Sequence, residues 1–193
     1  QLEYNEFEGA FPSGVLSLPN LSGVWLQHNK FTSVPDFSSA PRVPDYDVII
    51  NYNNLDFGSI EPLHTGIDQH NFDSFNYIRQ AEIGVTQTIN LNVGDLMDLA
   101  VPTGGTRNLY QWQRRFLDNW ENIPGATAAN YSKVFENSDA GEYRLVVKNE
   151  WATLLTLYSR VIKVVGPDPC DIVIDQQIID DACEHSVSVN LSN

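Results

Sequence analysis

The chain has 193 residues, of which 42% are hydrophobic and 11% aromatic, enough for one large packed domain or two small ones. Its 11 basic residues are outnumbered by 25 acidic ones, and the formal net charge of -14 disfavours nucleic acid and anionic lipid surfaces as partners. Apolar runs fall well short of the roughly 20 residues that a membrane-spanning helix needs, so we expect no direct membrane insertion.

The first part of the chain repeats every 24 residues, with Asn5, Asn29 and Asn53 at equivalent positions. The middle unit is the most complete, and its apolar and asparagine positions are Leu18, Leu21, Val24, Leu26, Asn29 and Phe31. This pattern resembles the signature of leucine-rich repeats. The resemblance implies short parallel strands with Val24 and Leu26 pointing inward, and asparagine side chains that satisfy backbone groups where the chain leaves each strand.

We therefore expect residues 1–63 to be the C-terminal part of a leucine-rich-repeat array. One repeat cannot bury its own apolar face, and about three are a minimum. Because the first visible unit is truncated, we expect further repeats before Gln1. Residues 64–80 are rich in His, Asp, Asn and Phe and are expected to be a connector.

From residue 81 to 166 the sequence predicts a β-sandwich of short strands separated by turns. Expected strands include Leu96 to Val101, Tyr110 to Arg114 and a final strand from Leu154 to Val165. The strongest marker is Asp139-Ala140-Gly141-Glu142-Tyr143-Arg144-Leu145, which resembles the D-x-G-x-Y-x-C stretch of immunoglobulin domains. The predicted fold class is thus mainly β, a leucine-rich-repeat end followed by an immunoglobulin-like β-sandwich.

The immunoglobulin resemblance implies roles for individual core residues. Tyr143 matches the tyrosine that closes the corner before the penultimate strand, and Trp112 matches the tryptophan that packs between the sheets. Leu145 stands at one position of the usual inter-sheet disulfide, and Leu99 is the expected counterpart at the other. An apolar pair would then replace the bridge, so we expect stability to come from core packing around Trp112.

Residues 167–193 are acidic and contain both cysteines, Cys170 and Cys183. We expect these to form a disulfide, with two buried thiols as the alternative. Two interpretations of the segment stay open: an acidic tail or small appendage on the sandwich, and the start of a further β module.

The order of repeats followed by an immunoglobulin-like module resembles surface proteins of Bacteroidetes-type bacteria. This resemblance covers residues 1–166 and implies a secreted or cell-surface, multi-modular protein. It does not imply a particular ligand.

Chemical motifs give no indication of an enzyme. His64, Asp68 and His70 match no standard metal-site spacing, and Asp168, Asp171 and Asp175 lack the rhythm of an EF-hand. The loop Pro102–Thr106 lacks the lysine of a phosphate-binding loop and is expected to be a turn. We therefore expect no catalysis, no cofactor and no metal.

One surface is a candidate for ligand binding, namely the concave side of the repeats. Its candidate residues are Trp25, Gln27, His28, Ile49, Asn51 and Tyr52. Aromatic and amide groups without dense charge suit a protein or glycan partner. The competing interpretation is that these residues fill a solenoid face or are covered by the neighbouring module. Trp120 and Tyr110 of the sandwich are expected to be packing residues.

The leading hypothesis is a non-catalytic adhesion or recognition protein at a cell surface, binding a protein or glycan as part of a larger polypeptide or assembly. One alternative is an accessory region of a secreted multi-domain hydrolase. The other is a structural subunit of a surface fibre.

Overall fold

The computed structural model describes residues 1–37, 46–67 and 72–167, together with the short strands β14 and β15 given below. The first part of the chain contains β1 (Glu8–Ala10), β2 (Gly23–Trp25), β3 (Lys30–Ser33), β4 (Tyr46–Ile49), α1 (Phe57–Ile67) and β5 (Phe72–Asn76). The second part contains β6 (Gln87–Asn90), β7 (Leu96–Ala100), β8 (Asn108–Phe116), β9 (Asn119–Asn122), β10 (Asn130–Val134), β11 (Gly141–Asn149), β12 (Thr156–Tyr158), β13 (Ile162–Val165), β14 (Val173–Ile174) and β15 (Gln177–Ile178). The described fold is mainly β with one short α-helix.

The strands of the first part pair in parallel. β4 lies between β2 and β5, and a second parallel pair joins β1 to β3. Gly23 pairs with Asp47 and Trp25 with Ile49, so the register between β2 and β4 follows the 24-residue spacing of the sequence. Val24 and Val48, which alternate with these positions, are buried in the core. Because parallel strands need a crossover connection, the chain returns to the same sheet once in each repeat unit.

Asparagine side chains link successive passes of the chain. Asn53 is only 2% exposed. Its Oδ1 accepts a hydrogen bond from the Phe31 backbone N–H at 3.0 Å, and its Nδ2 donates to the carbonyls of Leu26 and Ile50 at 2.9 and 3.1 Å. Asn29 makes the equivalent bonds one pass earlier. The repeated asparagine thus satisfies backbone groups that the turn would otherwise leave buried without partners.

We call these repeated side-chain hydrogen bonds the asparagine ladder. Gln80 continues the asparagine ladder into residues 64–80, the segment predicted as a connector. Its Oε1 accepts from the Leu55 backbone N–H at 3.1 Å, and its Nε2 donates to the carbonyls of Ile50 and Tyr77 at 3.0 and 2.9 Å. The described part of the segment contains the end of α1 and the strand β5. It is therefore regular structure that pairs with the preceding repeat.

The second part of the chain forms two sheets. The larger runs in the order β6, β13, β11, β8 and β9, with β12 also paired to β11, and the smaller consists of β7 and β10. Their pairs are antiparallel except for the parallel contact of β6 with β13. This arrangement is an immunoglobulin-like β fold.

Trp112 occupies the centre of the sandwich core and has no exposed surface. It pairs with Leu145 on β11, and Leu99 on β7 of the other sheet is equally buried. The indole Nε1 donates to the Ala128 carbonyl at 3.2 Å, and the ring of Tyr131 lies 6.4 Å from the indole. Apolar side chains thus fill the core at both expected positions of the inter-sheet bridge.

Tyr143 closes the corner before β11. Its hydroxyl donates to the Asp139 carbonyl at 2.6 Å, and burial raises the pKa of Tyr143 to about 12. The Asp139 carboxylate in turn accepts from Lys133 Nζ at 2.7 Å and from the Glu136 backbone N–H at 2.8 Å. The corner therefore ties β10, the short turn after it and β11 together.

The predicted single strand from Leu154 to Val165 is wrong, because the chain breaks between β12 and β13. Ser159 lies in the break and is buried. Its backbone N–H donates to the Leu145 carbonyl at 2.8 Å, while its Oγ accepts from the Leu145 N–H at 2.8 Å. The hydroxyl takes the place of a backbone acceptor, and the chain is then free to pair with β6 through β13.

Candidate binding face of the parallel sheet

The parallel register brings the predicted binding residues into rows. Trp25 pairs with Ile49, and Ile49 pairs in turn with Asn76 of β5. Equivalent positions of paired strands lie about 4.8 Å apart, so these residues form a first row. The second row contains Glu3, Gln27 and Asn51, and the third contains Tyr4, His28, Tyr52 and Arg79. We call the three rows together the parallel-sheet face.

Trp25 lies across the glycine that precedes it by two residues. A Cβ added at Gly23 would come within 2.7 Å of Cη2 of the indole, closer than carbon atoms approach in proteins. The indole therefore uses the space that a side chain at Gly23 would fill. Trp25 remains half-exposed in this position. A tryptophan supported along one side and open to solvent is a suitable contact for an apolar or sugar surface.

The second row carries hydrogen-bond acceptors that the described residues do not satisfy. Glu3 Oε2, Gln27 Oε1 and Asn51 Oδ1 are each buried and accept no hydrogen bond there. A buried acceptor without a donor costs about 1–3 kcal/mol. Neighbouring atoms cover these oxygens, so a hydroxyl or amide donor of a ligand would reach them only if the covering groups moved aside.

The third row is a continuous stack of rings. His28 lies between Tyr4 and Tyr52, with centroid distances of 4.4 and 4.2 Å and nearly parallel planes. The Arg79 guanidinium lies 5.7 Å from the Tyr52 ring and ends the stack. All four residues adopt positive φ angles between 55 and 60°. This conformation is uncommon for bulky side chains, and here it recurs at the same place in each pass of the chain.

Exposure differs along the face. Tyr4 is 71% exposed and Tyr52 is 38% exposed, whereas Asn51 is buried at 9%. Trp25, Gln27, His28 and Ile49 are half-buried. The rings of Tyr4 and Tyr52 are therefore the exposed groups of the candidate face, and Asn51 contributes mainly to the packing between its neighbours.

Sequence reasoning missed the last pass of the chain. This pass supplies Asn76 and Arg79 to the parallel-sheet face and Gln80 to the asparagine ladder. The spacing from Asn53 to Gln80 is 27 residues instead of 24, and glutamine stands where the earlier units have asparagine. The signal that could have identified the unit is the phenylalanine and tyrosine pattern of Phe75 and Tyr77, followed three residues later by an amide side chain.

His64 packs as an aromatic residue on α1. Its ring meets those of Phe75 and Tyr77 edge-on, at centroid distances of 5.4 and 5.0 Å. Burial lowers the pKa of His64, so the imidazole is held in its neutral form. Asp68 and His70, with which it was compared as a metal ligand, lie outside the described residues. Within the described ranges, three or more His, Cys, Asp or Glu side chains do not gather at a metal-binding distance.

The loop predicted as a simple turn, Pro102–Thr106, holds a buried carboxylate of α1. Glu61 is 5% exposed and accepts hydrogen bonds from the backbone N–H groups of Thr106 and Arg107 at 2.7 and 3.3 Å. The Asn149 side chain donates to the same carboxylate at 3.1 Å. The Thr106 hydroxyl also donates to this carboxylate. Burial raises the pKa of Glu61, but the hydrogen bond from the Thr106 hydroxyl and the three bonds above together outweigh burial and lower the pKa overall. The parallel sheet and the sandwich are thus joined through a charged, fully bonded contact.

Asp56 makes a second contact at this joint. Its carboxylate accepts from the Gly104 backbone N–H at 2.8 Å, and the backbones of Gly58 and Gly104 are in close approach. A Cβ at Gly104 would come within 2.8 Å of the Gly58 Cα, so a larger residue would force the two parts of the chain apart.

The predicted disulfide between Cys170 and Cys183 lies outside the described residues, as do Asp168, Asp171 and Asp175. Within the described ranges, every helix falls short of the length and apolar character that a bilayer crossing requires.

Comparison with protein-family models and with curated proteins gives no match. Among solved structures, the chain is similar to Sidekick-1 immunoglobulin domains 1-5, at 21% sequence identity and a TM-score of 0.32. That match covers 45% of this chain and 17% of the other. The class defined by the described residues is a mainly β chain with an immunoglobulin-like β fold.

Proposed function

We propose that this chain is a non-catalytic recognition region of a secreted or cell-surface protein. In this proposal residues 1–80 are the end of a leucine-rich-repeat array, and the parallel-sheet face binds a protein or glycan partner. The sandwich that follows serves as the adjoining module. The asparagine ladder, continued by Gln80, and the 24-residue register support the repeat assignment.

The observation that carries the proposal is the continuity of the face over four passes of the chain. The Trp25 indole lies beside the stack of Tyr4, His28 and Tyr52, and the acceptors of the second row lie between them. Binding surfaces are enriched in aromatic and arginine side chains and poor in other charges at their centre. The parallel-sheet face has this composition, although the chain as a whole is strongly acidic.

The net charge of -14 limits the kind of partner that would associate quickly. A basic protein would be steered toward the chain, and its association rate would fall as salt screens the field. A neutral glycan would bind through stacking and hydrogen bonds, and its affinity would change little with salt. Measuring binding at low and physiological salt therefore separates the two partner classes.

The test is a binding screen of the chain against immobilised glycans and extracellular proteins, repeated with Trp25→Ala and Tyr52→Ala. Truncating a true anchor should weaken binding by about 2 kcal/mol, or roughly thirtyfold. Phe116→Ala is the matched control, because Phe116 is a 64% exposed aromatic residue on β8, outside the face. A ligand whose affinity is unchanged by both face variants would place the binding surface elsewhere and overturn the proposal.

A further inference from the structure

A polar pocket lies on the outer face of the sandwich, away from the strands of the parallel-sheet face. Its centre is Arg144, whose guanidinium lies between two aromatic rings. The Cζ atom is 4.5 Å from the ring centroid of Trp120 on β9 and 4.6 Å from that of Tyr158 on β12. Arg144 Nε donates to Gln113 Oε1 at 2.7 Å. Two aromatic rings and one hydrogen bond therefore hold the guanidinium in place.

The other edge of the guanidinium is free for a ligand. Among the described residues, Nη1 and Nη2 of Arg144 take part in no hydrogen bond, and Arg144 belongs to none of the ion pairs. The neighbouring Arg115, by contrast, is paired with Glu142 at 2.9 Å. The pKa of Arg144 is lowered overall, because the effect of burial outweighs the charges of Tyr158 and Glu82, which raise the pKa. A partly desolvated guanidinium with two free donor nitrogens favours a bidentate anionic acceptor.

The pocket beside Arg144 has a volume of about 460 Å³, which is within the range of small-ligand sites. Its walls are mainly amide, hydroxyl and aliphatic groups; they include Leu109, Gln111, Asn122, Lys148 and Thr156. Lys148 is exposed and pairs with no acidic side chain among the described residues. Two unpaired cations thus face one pocket in a chain of strongly negative net charge.

We propose that this pocket binds a carboxylate-bearing sugar residue. The carboxylate would pair with the free edge of Arg144. The sugar hydroxyls would donate to Gln111 Oε1, whose amide nitrogen already donates to the carbonyls of Trp112 and Ile123, and would exchange hydrogen bonds with Asn122 Nδ2 and Thr156 Oγ1. This site is separate from the parallel-sheet face and does not depend on the function proposed for that face.

An acidic peptide is the competing ligand, and two observations disfavour it. Strand addition to an open sheet edge, a common way of binding extended peptides, does not apply to this pocket, because it lies on the face of the sheet, over β8, β11 and β12. An acidic protein would also be repelled by the net charge of -14, while a single sugar carboxylate senses only charges within about 8 Å at physiological salt.

The test compares glucuronate with glucose, which differ only in the carboxylate, by titration of the whole chain followed by tryptophan fluorescence and NMR. We expect glucuronate to bind and glucose to bind at least about tenfold more weakly. Arg144→Lys keeps the charge but removes the planar fork, and it should weaken glucuronate binding by at least about tenfold. Arg115→Lys is the matched control and should leave the affinity within about twofold of the parent. Trp25→Ala should also leave the glucuronate affinity unchanged, since Trp25 lies on the parallel-sheet face and not in this pocket.

Three outcomes would overturn the inference. Equal binding of glucose and glucuronate would show that the carboxylate is not recognised. Unchanged glucuronate affinity in a folded Arg144→Lys variant would remove Arg144 from the site. Saturable binding of a short poly-aspartate peptide in the absence of glucuronate binding would assign the pocket to an acidic peptide instead.

Discussion

The carboxylate of Glu61 accepts a hydrogen bond from the side chain of Asn149, which lies 88 residues later in the chain, at 3.1 Å. Asn149 in turn fixes the turn after β11, because its Oδ1 accepts from the backbone N–H groups of Trp151 and Ala152 at 3.0 and 3.1 Å. One buried carboxylate on α1 therefore organises a turn of the sandwich. The two parts of the chain are expected to unfold together.

Replacing Glu61 by glutamine should destabilise the chain by about 2–4 kcal/mol. The variant keeps the size of the side chain but places an amide donor among groups that also donate, so at least one buried donor loses its acceptor. Urea unfolding followed by tryptophan fluorescence measures the loss. Glu150→Gln is the control, because Glu150 makes only an exposed ion pair with Arg107 and should change stability by less than about 1 kcal/mol. Equal effects of the two substitutions would contradict the role of Glu61.

Stability should fall when the solution is acidified, for a reason that involves Glu61 and Asp139. The pKa of each group is lowered in the folded chain, because hydrogen bonds, and for Asp139 also the charge of Lys133, outweigh the effect of burial. A depressed folded-state pKa gives stability that is fully present above the unfolded pKa, near 4.5 for Glu61 and 3.8 for Asp139, and is lost as pH falls through the folded value.

The measurement is the free energy of unfolding between pH 3 and pH 7 (about the range over which carboxylates titrate). We expect a plateau above about pH 5 and a decline below it. Glu61→Gln should show a shallower decline than the parent because one of the two linked carboxylates is missing. A profile of the same slope in both proteins would show that Glu61 does not contribute to the acid sensitivity.

Trp112→Ala should cost about 3–5 kcal/mol, the usual effect of removing a large aromatic side chain from a packed core. Trp112 has no exposed surface, and Leu99 and Leu145 stand at the expected bridge positions, so the sandwich has no cross-link there to offset the loss. Thermal unfolding followed by circular dichroism checks this expectation. Trp151→Ala removes a tryptophan that is 39% exposed and should have a much smaller effect. A variant of Trp112 with unchanged thermal stability would refute the assignment of Trp112 as the central core residue.

The sequence predicts those features of the fold that depend on local repetition. Asn29 and Asn53 could be placed because an identical residue recurs at a constant spacing. Tyr143 could be placed because it belongs to a short motif, and Trp112 because the resemblance to immunoglobulin domains implies a tryptophan on that strand. Gln80 was not predicted, since both its type and its spacing differ. The helix α1 was not predicted either, because Pro62 and Gly66 within it weaken the helical pattern of the sequence.

The contacts between distant segments could not be predicted for a different reason. Arg144 contacts Trp120 of β9 and Tyr158 of β12, and neither contact can be predicted from the spacing of these residues along the chain. The same holds for Glu61 and the Pro102–Thr106 loop, which are brought together only when the helix and the sandwich pack. The rows of the parallel-sheet face, by contrast, could be predicted from the 24-residue period. The exposure of the side chains in these rows could not be predicted from that period.

Gln80→Leu tests whether the last pass of the chain belongs to the repeat ladder. Leucine fills a similar volume but removes the partner of the Leu55 N–H and of the Tyr77 carbonyl, while the Ile50 carbonyl keeps its hydrogen bond from Asn53 Nδ2. We expect a loss of about 1–3 kcal/mol in the free energy of unfolding. Gln87→Leu is the control, because Gln87 is half-buried on β6 and its side chain makes no hydrogen bond to the described residues. A loss no larger than that of the control would mean that Gln80 is only a surface residue of a connector.

Gly23→Ala should displace the Trp25 indole with only a small shift of the backbone of β4. The new methyl group would lie 2.7 Å from Cη2 of the indole, whereas the backbone at Gly23 does not have the positive φ angle that would exclude alanine. Rotation of Trp25 relieves the clash with the indole, while the Asp47 carbonyl oxygen, 3.0 Å from the new Cβ, must shift by a few tenths of an ångström. The rotation should change the tryptophan emission and weaken any ligand bound at the parallel-sheet face by at least about tenfold. Gly14→Ala is the matched control, because an added Cβ there meets nothing within 4 Å and its φ angle is also not positive. If Gly23→Ala binds a ligand of the face as tightly as Gly14→Ala, the indole is not part of the contact, and the stacked rings of Tyr4, His28 and Tyr52 must provide the binding energy without it.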